Sequence, residues 1–452
     1  MNEIQALAFD KTITDIYYLV SILFLLFLPI GTIISIYGLS RPRHSTSTIV
    51  MLFMSLPVII LSTYLFGWAF HFTFSSGPGI TGNFQNISHA VPWSELMAPN
   101  LKSSTLNLVI FFIFSWSIVV ILGAAAIERI KFGAFIILSI LLGSVFWPIA
   151  SAWSWTIKSW MVEIFGYHDA YGAGAIHAVL GGFTLGVLTQ LKHRVIKFTN
   201  QQQSRSIVPS NPLMLLLGRI FMTLGLIGIL LAANFPILEI KNTEGIFFET
   251  ANVYGAPISL SGSIYNFMLA LSGGLLMSYI ISKGDLYWMF SGGIIGIVSI
   301  SAGCDYYFPL QSFLISLVIT FIVYKSYHWL EEKFKFDDAI GAISIHGFAG
   351  FWGLLIAGIV LWGYPSSTNP EFVSINPFGQ FAGAIILFWI LGFVPGYLTA
   401  KILNFFNLLR ISETTEIAGK DVISLRNHYF QEKDIQNAEK AIVKAQITNE
   451  NE

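Results

Sequence analysis

Long hydrophobic stretches alternate with short polar ones along most of this chain. A helix that crosses the hydrocarbon core of a bilayer needs about 20 mostly apolar residues. Counting such stretches predicts eleven membrane-spanning helices, and so an all-α polytopic membrane protein. These helices are expected at about residues 14–39, 48–73, 104–127, 133–158, 173–191, 212–235, 261–282, 286–303, 309–328, 341–363 and 378–408. We divide the chain into a membrane domain, residues 1–410, and a polar, charged cytoplasmic tail, residues 411–452.

Lys and Arg residues follow every second predicted helix, and such residues concentrate in cytoplasmic loops. Arg41 follows the first helix and Arg129 the third, whereas residues 74–103 contain Lys102 as their single cation. The alternation predicts an odd number of spans, with the N-terminus outside and the tail in the cytoplasm. The N-terminal residues lack the basic start and early cleavage site of a signal peptide, so we expect the first helix to be retained.

The composition supports a protein embedded in a lipid bilayer. Hydrophobic residues make up 54% of the 452 residues and charged residues 11%, with a mean hydropathy of +0.69. Ordinary soluble proteins carry roughly 25% charged residues. The net charge of −1 argues against nucleic acid as a partner, and the single cysteine excludes a disulfide within the chain.

Two similar stretches, DAYGAGAIH and DDAIGAISIH, each place an Asp eight residues before a His. The first joins Asp169 to His177 in predicted helix 5, and the second joins Asp338 to His346 in predicted helix 10. Because five is an odd number of spans, the second set of five helices would insert with the opposite orientation. The pattern therefore predicts a 5+5 inverted repeat plus a final helix, an arrangement typical of transporters, whose sites lie near the membrane midplane.

His177 and His346 are the candidate functional pair. An ionisable side chain within a spanning helix is costly in hydrocarbon and is a functional candidate by default. We expect each His about two helical turns into its helix, where one ring N–H donates to the other ring. The alternatives are that each His merely joins neighbouring helices, or that the pair binds a metal. We predict no metal and no cofactor, because two His without nearby cysteines or further carboxylates make a poor metal site.

Asp169 and Asp338 are expected to cap the helices that carry the histidines, since Asp accepts hydrogen bonds from free backbone N–H groups. For Asp338 we favour this structural role alone. Asp169 lies near the predicted outer mouth, where a carboxylate both orders the backbone and stabilises a cation nearby without touching it.

These motifs resemble those of the ammonium transporter (Amt/Rh) family, and more closely its Amt branch. The resemblance extends over nearly the whole chain and divergence is concentrated at the outer pore gate. It is carried by DAYGAGAIH and DDAIGAISIHGFAGFWG, and in the same order by PIGTIISIYGLSRPR, GAAAIERIKF, SGGIIGIVSISAGC and RISETTEIAGKDVISLRNHYF.

The resemblance implies an eleven-helix channel or transporter for ammonium uptake in the plasma (inner) membrane, assembled as a homotrimer with one pore per subunit. It implies that ammonium is recruited outside and loses a proton, and that ammonia then passes His177 and His346. Asp169 would lie beneath the recruitment site. The tail is a candidate docking site for a PII-type regulatory protein. Since no stretch resembles an ATP-binding loop or a hydrolytic triad, the protein is not expected to be an enzyme.

The outer gate departs from the family, which closes the pore with two stacked Phe rings. The first aligns with Phe114, whereas the second falls on Ile229. Trp153 and Trp155 are both candidates for the recruitment ring, and we select Trp155, although the family's spacing falls on Ser154. Ala233 stands where the family often has Ser. The aromatic residues could equally pack against lipid. The degraded gate motivates a second hypothesis, an ammonium-responsive receptor with little flux. The resemblance to the wider Amt/Rh family leaves a third, passage of another small neutral gas such as carbon dioxide as suggested for the Rh branch, and the Amt-like second His motif counts against it.

Overall fold

The computed structural model describes residues 3–74, 76–77, 84–94, 106–156, 159–198, 209–241 and 245–424. Helices dominate this part of the chain. They are α1 Glu3–Leu39, α2 Pro42–Thr73, α3 Phe84–His89, α4 Leu106–Ala125, α5 Phe132–Trp155, α6 Trp160–Phe165, α7 Ala173–Leu191, α8 Pro212–Ala232, α9 Leu260–Ser282, α10 Leu286–Ile300, α11 Pro309–Phe334, α12 Ala342–Val360, α13 Pro377–Phe405, α14 Glu413–Ala418 and α15 Lys420–Ser424.

Ten of these helices are long and apolar enough to cross a membrane. They correspond to ten of the eleven predicted spans, with ends that shift by a few residues in most cases. The remaining predicted span coincides with α10, a shorter apolar helix of 15 residues. The protein is therefore a mostly helical, multi-pass membrane protein.

The connection between α8 and α9 corrects the all-α prediction. It forms a three-stranded antiparallel sheet of β1 Asn234–Lys241, β2 Gly245–Asn252 and β3 Pro257–Ile258. The segment is rich in β-branched and aromatic residues, which favour strands. Helix α8 also ends at Ala232 rather than at the predicted residue 235, because the chain enters the first strand at Asn234.

Glycines let neighbouring helices approach at backbone distance. A β-carbon on Gly31 of α1 would lie 2.5 Å from the backbone nitrogen of Met222 in α8. A β-carbon on Gly218 of α8 would lie 2.3 Å from the backbone nitrogen of Ser35 in α1. In membranes such small residues allow close van der Waals packing where no hydrophobic effect drives helices together. The α1–α8 pair is thus fixed in register by its glycines.

Both histidine-bearing helices begin with π-helical turns, at Ala173–Ala178 and Ala342–Phe348. Each turn follows a left-handed glycine, Gly172 with φ +85° and Gly341 with φ +78°. The expectation that each His lies two turns into its helix is therefore wrong, since each lies about one turn in. The reason is that each Asp stands in non-helical chain, and the left-handed glycine separates it from the helix.

The start of the tail is attached to the membrane domain. Ile411 donates its backbone N–H to the carbonyl of Arg129, and Lys131 donates its N–H to the carbonyl of Leu409. Helices α14 and α15 follow directly. Residues 425–452 of the predicted tail lie outside the described residues. The boundary at residue 410 between membrane domain and cytoplasmic tail stays a prediction.

Candidate functional site

His177 and His346 lie against each other in the interior. Their Nδ1 atoms are 3.2 Å apart, and their rings stack with centroids 5.1 Å apart at an interplanar angle of 20°. His177 is 1% exposed and His346 fully buried. The structure thus brings together two side chains that are 169 residues apart in sequence.

The contact fixes complementary tautomers if both rings are neutral. One Nδ1 must carry the proton and donate, while the other accepts. The donating ring then has a bare Nε2, and the accepting ring has an Nε2–H. Neither Nε2 atom has a hydrogen-bond partner among the described residues. The pair therefore offers one free acceptor and one free donor in a buried site.

Close packing of α7 against α12 holds the pair. A β-carbon on Gly181 would meet the Cα of Gly347 at 2.1 Å, and one on Gly350 would meet the carbonyl oxygen of Ala173 at 2.1 Å. The Gly350 position also lies 3.1 Å from the β-carbon of His177. Larger side chains here would separate the two helices and with them the two rings.

The two aspartates cap the two histidine helices in the same way. Asp169 Oδ2 accepts hydrogen bonds from the backbone N–H groups of Gly174 and Ala175, both at 2.9 Å, and from the Tyr167 hydroxyl at 3.1 Å. Its Oδ1 is buried and has no partner among the described residues. Burial raises the pKa of the Asp169 carboxyl, although the backbone hydrogen bonds oppose this shift.

Asp338 caps α12 with both carboxylate oxygens. It accepts from the backbone N–H groups of Gly341 and Ala342 at 2.9 Å and of Ile343 at 2.7 Å. Burial raises the pKa of Asp338 to about 6. Among the described residues, no group of three or more His, Cys, Asp or Glu side chains could hold a metal ion.

Trp155 and Phe114 lie together on the side of Asp169. The Trp155 indole donates a 2.8 Å hydrogen bond to the carbonyl of Asp169, and its ring centroid is 5.8 Å from that of Phe114. The Trp153 indole instead donates to the carbonyl of Gly77. The structure thus places Trp155, and not Trp153, above the start of the first histidine helix.

A narrow cavity, here called the His177 cavity, adjoins one histidine. Its lining is mostly apolar, and Ile229 is part of it, whereas Phe114 is not among the lining residues. The lining comprises Tyr171, His177, Leu226, Ile229, Leu230, Phe267, Ile297, Ile300, Ser301 and Cys304. The two residues predicted to form the gate therefore lie in different surroundings. Ile229 faces the His177 cavity, whereas Phe114 packs against Trp155 and Trp147.

His168, next to Asp169, forms a buried ion pair that the sequence did not indicate. Its Nε2 lies 3.1 Å from Oδ2 of Asp305, and its Nδ1 lies 3.2 Å from the carbonyl of Ser366. Both partners can only accept, so both ring nitrogens donate and His168 is an imidazolium. Burial lowers the pKa of His168, but the Asp305 carboxylate outweighs it and the pKa is raised overall.

A second ionic cluster lies at the opposite, predicted cytoplasmic, end. Arg194 donates to both carboxylate oxygens of Asp337, from Nε and Nη2, each at 2.8 Å. Burial opposes ionisation of Asp337, but Arg194 and Arg129 hold its pKa well below the usual range. Glu128 pairs with Arg41 at 2.8 Å in the same region. The cluster ties together the loops after α4, α7 and α11.

The same end contains a wide, open vestibule, called the inner vestibule. Its lining combines aromatic, acidic and basic side chains. Tyr287, Trp288, Tyr324, Tyr327, His328, Glu331, Asp337, Asp338, Arg194 and Lys197 are among them. Asp338 caps the histidine helix α12, so the vestibule reaches the base of that helix.

Comparison with known proteins identifies the protein's relatives. Residues 16–429 match the model of the Ammonium Transporter Family. This chain belongs to that family. Ammonium transporter Amt2 of Archaeoglobus fulgidus is 25% identical over 419 residues, which cover 85% of this chain and 81% of the relative. The ammonium transporter of Bacillus subtilis is 23% identical over 406 residues, which cover 85% and 90%.

Solved structures of the ammonium transporter family share the fold. A sensor Amt protein superposes with a TM-score of 0.76 at 19% identity, covering 92% of this chain and 99% of its own. Mep2 of Saccharomyces cerevisiae superposes with a TM-score of 0.69 at 18% identity, covering 88% and 87%. Membership of a transporter family confirms the interpretation as an ammonium transporter, and the receptor alternative is not favoured.

Proposed function

We propose that the protein moves ammonium nitrogen across the plasma (inner) membrane as ammonia, past the His177–His346 pair. The observation that carries this proposal is the 3.2 Å contact between the two Nδ1 atoms in a buried site. Ammonia has N–H donors and one lone pair, which match the free Nε2 acceptor and the free Nε2–H donor. An ion would instead lose its hydration in this apolar environment, at a cost that neutral ammonia avoids.

The ion is recruited at the outer end, beside Trp155 and Asp169. The Trp155 ring offers a cation–π surface, an attraction of about 0.5–2 kcal/mol per ring. Asp169 orders the backbone to which Trp155 is hydrogen bonded and stabilises the cation at a distance. The proton returns to the outer solution, ammonia passes the histidines, and it takes a proton from water in the cytoplasm.

The outer gate is formed by Phe114 and Ile229. Phe114 closes the approach together with Trp155, and Ile229 narrows the His177 cavity as an aliphatic plug. Because Ile229 replaces a second ring, recruitment loses one cation–π partner. We expect conduction to persist and selection of ammonium over other cations to weaken.

The finer topology is part of the same proposal. Helix α10 is an eleventh span, the helices form a 5+5 inverted repeat plus α13, and the N-terminus lies outside. The similar capping of α7 by Asp169 and of α12 by Asp338 supports the repeat. The functional unit is a homotrimer whose cytoplasmic tail receives a PII-type regulatory protein.

The test is growth of a host that lacks its own ammonium transporters, on low ammonium at acidic pH. We expect rescue by the wild type and by His89→Ala, which changes an exposed histidine. His177→Ala, His346→Ala and Asp169→Ala should abolish rescue while the protein still reaches the membrane. Failure of the folded wild type to rescue growth would overturn the proposal. Ammonium binding by the purified protein, without flux, would then support a receptor.

A further inference from the structure

Arg219 of α8 is buried in the membrane domain, with 1% of its surface exposed. Its Nη2 donates a 3.2 Å hydrogen bond to the carbonyl of Ile340, the residue before the left-handed Gly341. Its guanidinium carbon lies 5.2 Å from the centroid of the Tyr287 ring. A charged side chain at such a place is costly and calls for a functional explanation.

The position of Arg219 relates it to the predicted route of ammonia. Tyr287 and Asp338 line the inner vestibule, and Ile340 lies between Asp338 and the helix of His346. The carbonyl that Arg219 binds lies just before the first turn of α12, the turn that contains His346. Arg219 therefore lies at the junction between the histidine pair and the inner vestibule.

The charge of Arg219 is not neutralised by a direct ion pair. Among the described residues, no carboxylate lies within ion-pair distance of its guanidinium, and its Nε has no hydrogen-bond partner. The carboxylate of nearby Asp338 is occupied by three backbone N–H groups. Arg side chains remain protonated in proteins, so a fixed positive charge stays at this junction.

We propose that Arg219 is a specificity-determining residue that rejects cations at the inner end of the pore and lets neutral ammonia pass. A positive side chain in a narrow, desolvated passage is an electrostatic barrier to protons and other cations. The inference rests on the proposed function, since it concerns the form in which nitrogen leaves the histidine pair. The proton of the ammonium ion stays outside, and a proton from cytoplasmic water completes ammonium again inside.

The test uses the purified full-length protein in liposomes that contain a pH-sensitive dye, with the transported charge recorded on a supported membrane. Ammonia entry alkalinises the interior without moving charge, whereas entry of the ammonium ion moves one charge and does not alkalinise it. The ratio of charge to alkalinisation reports the form transported. A residue with a merely structural role would change the amount of transport and leave this ratio alone.

We expect the wild type and Arg219→Lys, which keeps the positive charge, to alkalinise the liposomes with little charge movement. Arg219→Gln and Arg219→Met should raise the ratio severalfold. Lys325→Met removes an exposed cation from α11 and should leave the ratio unchanged. The same ratio in the wild type, Arg219→Lys and Arg219→Met would overturn the inference.

Two further outcomes separate this inference from the function on which it rests. Alkalinisation by the wild type that His177→Ala abolishes, combined with the same low ratio of charge to alkalinisation in Arg219→Met, would overturn the role of Arg219 alone. No ammonium-dependent response from the folded wild type would overturn the proposed function, and the inference with it. If Arg219→Met does not fold, Arg219→Gln and Arg219→Lys supply the neutral and charged comparison.

Discussion

A β-carbon placed on Gly181 would lie 2.1 Å from the Cα atom of Gly347. Helices α7 and α12 therefore cross with their backbones in contact, directly beside the two histidines. Rotamer changes cannot relieve a clash between a β-carbon and a neighbouring backbone. The distance between His177 and His346 is thus set by two glycines as much as by the rings themselves.

Replacing Gly181 with Ala should push α7 and α12 apart. We expect an overpacking cost of about 1–3 kcal/mol in the free energy of unfolding, together with loss of ammonium uptake because the 3.2 Å histidine contact opens. Thermal unfolding in detergent and uptake by cells measure the two effects. Gly133→Ala is the control, since a β-carbon there meets nothing within 4 Å. Equal uptake by both variants would contradict this account.

The spans and the histidine pair could be predicted because their signals are local. A run of about 20 apolar residues identifies a helix by length alone, and the Asp and His of each motif lie eight residues apart. The β-hairpin before α9 could have been detected from its β-branched and aromatic residues. The π-helical turns could not, because they depend on how a left-handed glycine joins a capped segment to its helix.

Contacts distant in sequence that lie outside the repeated Asp–His motif could not be predicted from one chain. His168 and Asp305 are 137 residues apart, and neither belongs to a motif that indicates the other. The 121 residues between Arg219 and Ile340 raise the same difficulty. An intramembrane Arg is itself a sequence signal, since such residues are rare in spans, and it would have drawn attention to residue 219.

The His168–Asp305 pair should make stability depend on pH. The pKa of His168 is raised in the folded protein by Asp305, despite the opposing effect of burial. A raised His pKa contributes stability below the unfolded value of about 6.5, and this is lost as pH rises through the folded pKa. Loss of this contribution from the His168–Asp305 pair should therefore lower the melting temperature as the pH is raised above about 6.5.

His168→Gln should lower the melting temperature most at pH 6. In this variant the melting temperature should also fall less steeply than in the wild type as the pH is raised above 6. Removing one partner of a buried ion pair costs about 3–5 kcal/mol. Melting curves from pH 5 to 9 in detergent measure the effect, with His89→Gln as the exposed histidine control. An unchanged pH profile in His168→Gln would exclude a contribution of this pair.

Asp337 should have the opposite pH dependence. Burial opposes its ionisation, but Arg194 and Arg129 hold its pKa well below the ordinary value of about 3.9. A lowered carboxyl pKa gives stability that is present above the unfolded pKa and lost as pH falls below it. Asp337→Asn should therefore be about 3–5 kcal/mol less stable at pH 7, and should lose less stability than the wild type between pH 5 and 3.

Glu332→Gln is the matched control for Asp337→Asn. Glu332 is an exposed acid in the last turn of α11, and Asp337 follows shortly after the end of that helix. It should melt like the wild type at every pH. Were Asp337→Asn also to do so, the bidentate contact with Arg194 would carry no net stability.

Glu416 should fix the first part of the tail to the membrane domain. Its Oε1 accepts from the backbone N–H of Val195 and its Oε2 from Arg410, both at 2.7 Å. Hydrogen bonds to a charged group contribute about 1.5–3 kcal/mol each. Glu416→Gln should therefore speed amide hydrogen exchange in residues 413–424 by about 10- to 100-fold, because local opening becomes easier.

Glu413→Gln changes an exposed acid one helical turn earlier and should leave this exchange unaltered. Hydrogen-exchange mass spectrometry of both variants distinguishes a specific carboxylate contact from a general effect of charge. Equal acceleration would mean that the acidity of α14, and not the contact with Val195 and Arg410, holds the tail. Acceleration in Glu416→Gln alone would place the attachment at Arg410 and at Val195, in the loop that follows α7, the helix that carries His177.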